Sequence, residues 1–69
     1  MSPETEAIMK GVRTAFGGIL NITEQEYKQI GEVLEETAIH HGDHQREYMA
    51  EQYRDILTNR CKQLTAGDK

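Results

Sequence analysis

One cysteine, Cys61, is the only thiol in this chain of 69 residues, so no internal disulfide can staple it. There is no tryptophan and a single phenylalanine. The only serine, Ser2, stands at the N-terminus, which argues against a serine nucleophile with a positioned base. No apolar run approaches the roughly 18–20 residues of a membrane span. The acidic opening Met1-Ser2-Pro3-Glu4-Thr5-Glu6 does not look like a secretory signal, which starts basic and continues apolar. Basic residues are outnumbered, 8 against 12 acidic, for a net charge of −4. That balance argues against unspecific nucleic-acid binding, which rests on Lys and Arg neutralising phosphates.

Several chemical motifs are missing as well. The zinc helix His-Glu-x-x-His, a Cys-x-x-Cys pair and the Glu-x-x-His spacing of di-iron bundles do not occur. Gly17-Gly18 is an isolated pair, not a phosphate-binding loop. The expectation is a cytoplasmic, non-enzymatic protein without cofactor, with residues 1–69 forming one small helical domain.

What is present is helical punctuation. Ser2 and Pro3 suit an N-cap and first helical position, with Glu4 and Glu6 at the positive end of the helix dipole. Ile8, Val12, Ala15, Phe16 and Ile19, with Met9 beside them, follow helical spacing, so a first helix is expected over about 3–17, ended by Gly17-Gly18. Thr23-Glu24-Gln25-Glu26 spells a capping box, and Ile22 with Tyr27 can staple it. A second helix is expected over about 24–41, stopped by Gly42 in a left-handed conformation. Asp43 is expected to cap a third helix over about 44–64, leaving 65–69 as a frayed tail. The Gly42-Asp43 break between long helices predicts an all-α fold: a long antiparallel hairpin plus an N-terminal helix.

At 100° per residue the apolar face of the second helix collects Tyr27, Ile30, Val33, Leu34, Thr37 and Ala38, with His41 closing the core end. The third collects Met49, Ala50, Tyr53, Ile56, Leu57, Cys61 and Leu64, with Arg60 near the middle of the stripe. A hairpin cannot cover both faces alone, and a chain this short buries only about 60% of its unfolded surface. The expected state is therefore a homodimeric bundle, with Tyr27, Ile30, Leu34, Tyr53, Ile56, Leu57, Arg60 and Leu64 in the dimer or bundle core.

The remaining signals are residues that break the pattern. Ile39 and Tyr48 point away from the apolar stripes near the turn; with His40 and His44 they form the expected partner-binding set. The expected partner is a larger protein, with a basic groove to suit the negative charge. Two other functions compete: a transcriptional or nucleic-acid-binding protein using Arg46, Gln52, Arg54, Asn59, Arg60 and Lys62, and a metal-responsive regulator using the cluster from His40 to His44.

From Thr23 to Lys69 the chain resembles, in architecture, the helical-hairpin co-chaperones of type III secretion systems, through its length, Gly-Asp break and long final helix. It is similar in outline to plasmid-encoded RNA-regulating four-helix dimers, but lacks their basic face. These resemblances imply a hairpin, and the first implies a chaperone-like role; neither assigns a family. The reading is a small phage-type accessory protein that binds and inhibits, adapts or chaperones its partner.

Overall fold

The computed structural model describes the backbone of residues 1–67 and the side chains of residues 1–64. Three helices follow one another: α1 (Pro3–Phe16), α2 (Glu24–His41) and α3 (Asp43–Gly67). There is no strand among the described residues. The fold is the long α2–α3 hairpin with α1 laid along one side of it.

Each junction has a local cause. Ser2 holds the extended backbone of an N-cap before Pro3, yet its side chain makes no capping bond. Its hydroxyl donates to Glu35 instead. α1 stops at Phe16, and the Gly17 N–H donates to the Arg13 carbonyl at 2.8 Å. A Cβ on Gly17 would fall 2.5 Å from that same carbonyl oxygen, so this tight close needs glycine. The helical register is lost there, which corrects the placing of Ile19: it is 61% exposed, and Leu20 in the connector enters the core instead.

The capping box forms as expected. The Glu26 N–H donates to Thr23 Oγ1 at 3.1 Å, and the Thr23 N–H to Glu26 Oε1 at 3.5 Å. Ile22 packs against the cluster that contains Tyr27, consistent with the staple.

Gly42 has φ +93° and ψ 169°, a positive φ but not the left-handed helical stop that the sequence predicts. That region is essentially reserved for glycine. The Gly42 N–H donates to Ala38 and its carbonyl accepts from Arg46, so one residue both closes α2 and opens α3. Asp43 is accordingly the first residue of α3 rather than its cap. The helix then continues to Gly67, past the expected end at Leu64, so residues 65–67 of the expected frayed tail are helical; 68–69 lie outside the described residues.

The core draws on every element: Met9 and Val12 from α1, Leu20 from the connector, Tyr27 and Leu34 from α2, Ala50 and Leu57 from α3. Ile8, Phe16, Ile22, Ile30, Met49, Tyr53 and Cys61 are half-buried around it. The molecule is elongated, 43 × 20 × 16 Å.

His41 does not close the core; it is exposed. The start of α1 reaches α2 at Glu35, through Ser2 and Thr5, and leaves the last turn of α2 uncovered. Among the expected core residues, Tyr27, Leu34 and Leu57 are buried and Ile30 and Tyr53 half-buried. Ile56 and Leu64 are 53% and 56% exposed within the single chain. Arg60 is exposed too, its Nη1 lying 3.7 Å from Glu26 Oε2 of α2.

Candidate functional site

The most constrained chemistry in the molecule is a polar clasp that ties all three helices together. Thr5 is fully buried and Arg46 is 4% exposed. The Thr5 hydroxyl donates to Glu35 Oε1 at 2.7 Å, the Ser2 hydroxyl donates to the same oxygen at 2.9 Å, and the Ser2 N–H at 3.2 Å. Each hydroxyl has one proton, so both oxygens are left as acceptors, and Arg46 Nη1 donates to them at 3.1 Å (Ser2) and 3.2 Å (Thr5). Arg46 Nη2 reaches Asp43 at 2.9 Å. Its Nε is buried without a partner among the described residues. The donated bonds, from Thr5 first and then from Ser2, hold the Glu35 carboxyl down at about 2.

A second clasp fixes the far end of α1. Arg13 makes a bidentate pair with Glu24, at 2.6 and 2.7 Å, and its guanidinium stacks 4.3 Å over the Tyr27 ring. The hydrogen-bonded pairing raises Arg13 and lowers Glu24 from their ordinary values.

The sequence reading missed the first clasp, although a signal was there. Arg46 lies four residues before Ala50 and eleven before Leu57, and Thr5 lies four before Met9, so both polar residues stand in register with apolar stripes. Burial also removes Arg46 from the nucleic-acid candidates.

One side of α3 carries a row of carboxylates, with exposed Arg54 beside it. Asp43, Glu47, Glu51 and Asp55 recur every fourth residue and are all exposed. Asp43 is paired to Arg46; among the described residues no ion pair joins Glu47, Glu51 or Asp55 to a basic side chain. Tyr48, 56% exposed, stands beside this stripe, three residues before Glu51 and four after His44. The opposite flank carries Met49, Tyr53, Ile56 and Arg60, with Gln45, Gln52, Asn59 and Gln63 around them and no acidic residue.

The four expected partner-binding residues are all exposed, but they do not form one patch. Ile39, 69% exposed, is about 140° round α2 from buried Leu34, four residues after Glu35. Tyr48 is about 180° round α3 from buried Leu57. His44 shares the Tyr48 side of α3, whereas His40 lines a depression on α2 with Val33, Glu36, Thr37 and His41. The His40 and His41 rings lie edge to face, 6.5 Å apart. No group of three or more His, Cys, Asp or Glu converges as a metal site among the described residues. No helix among them is long and apolar enough to cross a membrane.

Comparison with protein-family models, with curated proteins and with solved structures finds no match to this chain.

Proposed function

We propose that this protein acts by binding rather than by catalysis, as a small acidic helical module that docks on a larger protein and regulates it. The observation that carries this reading is the acidic flank of α3: Glu47, Glu51 and Asp55, which form no ion pairs among the described residues, and Tyr48 exposed among them. Unpaired carboxylates in one row set up a field that steers a basic surface toward the helix. An exposed tyrosine within that row supplies the apolar anchor that charge alone lacks. Ile39, exposed near Glu35 and Glu36 on α2, gives a second anchor on a different edge of the hairpin. The partner is therefore a larger protein with a basic groove.

The test is affinity capture from native host lysate with three forms: wild type, Tyr48→Ala with Glu51→Lys, and Ile39→Asp. The expected result is a protein partner held by wild type, released by moderate salt, and lost in the α3 variant. Partner capture unaffected by the α3 variant, or retention of nucleic acid in place of protein, would overturn the reading.

A further inference from the structure

We propose that the face of the α2–α3 hairpin turned away from α1 binds a second copy of this chain, completing a four-helix bundle around a two-fold axis parallel to the helices. This goes beyond the binding of a larger partner and rests on different residues.

The face is apolar along its centre. Val33 and Ile56 are 37% and 53% exposed, and half-buried Ile30 and Tyr53 lie between them in a groove that ends at Glu26 and Arg60. The lining also carries Glu26, Glu32 and Glu36 on α2 and Arg60 on α3; by helical spacing Glu32 and Glu36 fall outward of Val33, while Glu26 and Arg60 stand at one end of the groove. A centre poor in charge, with tyrosine and flanking arginine, is the composition of an interface core. α1 leaves it bare because α1 occupies the other side of the hairpin, against Gly31, Glu35 and Arg46.

Three features select a second copy as the occupant. First, the face is two antiparallel helices wide, the width that another such pair fills in a four-helix bundle. Second, its charge is compatible with self-association. A two-fold axis along the helices sets each α2 against α3 of the other copy, running antiparallel, with Glu26 at the level of Arg60 of the second copy. The acidic rim then meets a flank that has no acidic residue, so two chains of net charge −4 approach without carboxylates facing carboxylates. Third, the area suffices. The 18 residues of α2 span about 27 Å, and two helices about 20 Å across give a footprint on the order of 500 Å² per copy, near the lower bound for a specific interface.

The test is sedimentation equilibrium of the purified full chain at tens of micromolar, with helicity followed by circular dichroism. The expected mass is about twice the 7.9 kDa of one chain. Ile56→Lys and Val33→Lys, each at an exposed position, should raise the dissociation constant by about 100-fold or more. Lysine is at least as good a helix former as either residue, so the separated chain should keep its helices. Tyr48→Ala, outside the face, should leave the mass unchanged, which separates this proposal from the partner reading. A wild type of single-chain mass would overturn the proposal, and so would a dimer that both lysine variants leave intact.

Discussion

Glu35 of α2 and Arg46 of α3 meet through a hydroxyl rather than directly. Thr5 Oγ1 donates to the carboxylate at 2.7 Å and accepts from the guanidinium at 3.2 Å, so this α1 side chain bridges the two charged groups, beside a parallel bridge through the Ser2 hydroxyl. The Thr5 site is fully buried, and water cannot substitute for the hydroxyl at no cost. Thr5→Val keeps the shape and removes both bonds. It should destabilise the protein by about 1–3 kcal/mol, the cost of leaving buried polar groups short of partners. Thr5→Ser keeps the hydroxyl and should cost less. Chemical denaturation at fixed protein concentration measures both; a Thr5→Val protein as stable as wild type would remove the clasp from any account of the fold.

The same bonds predict an acid response of definite sign. Folding lowers the Glu35 carboxyl from 4.5 to about 2, so the folded state favours the ionised form. The stabilisation is fully present above pH 4.5 and is lost as the pH falls through about 2. Unfolding midpoints taken between pH 6 and pH 2 should decline below about 4.5. Glu35→Gln should lower the plateau above that pH and flatten this part of the decline. A parallel decline in the variant would assign the acid response to other carboxylates.

Gly42 governs the hairpin. Its φ of +93° with ψ of 169° lies where an L side chain is strained even though no atom stands within 4 Å of an added Cβ. Gly42→Ala should cost about 1–3 kcal/mol through backbone strain alone. Gly11 offers the contrast: it lies inside α1, is exposed, and an added Cβ would meet only Arg54 Nη2 at 3.9 Å. Gly11→Ala should stabilise by about 0.5–1 kcal/mol by favouring the helix. Thermal melts of the two variants beside wild type should move in opposite directions.

The legible part of this protein was its punctuation. The Thr23 and Glu26 box and Gly42 act through neighbours within a few residues, so their roles can be read from adjacent letters, although the conformation of Gly42 cannot. The hairpin and its apolar stripes follow from helical spacing. Arg46, Thr5 and Glu35 were opaque because the bonds that join them across helices span 30 to 44 residues and exist only once α1 docks. A lone arginine on an apolar stripe reads equally as a side chain reaching for water, which is what Arg60 does and Arg46 does not. His41 failed for a related reason: its exposure depends on how far along α2 the start of α1 extends, a matter of docking rather than pattern.

That docking suggests an order of opening. α1 packs Met9 and Val12 into the core and is clasped near both ends, by Thr5 and by Arg13 against Glu24 and Tyr27, yet it meets α2 and α3 less extensively than they meet each other. α2 and α3 pack along their length, with Leu34, Ala50 and Leu57 between them. Elements with the lower density of contacts to the rest of the fold open first in native-state hydrogen exchange. The amides of α1 should therefore exchange as one unit, ahead of the central turns of α2 and α3. Thr5→Val and Arg13→Met should each speed exchange across all of α1 while leaving the α2–α3 amides near their wild-type rates. Acceleration confined to the turn next to each substitution would mean that α1 frays from its ends instead of undocking whole. Equal acceleration in all three helices would mean that the clasp belongs to global unfolding and that the hairpin has no separate stability.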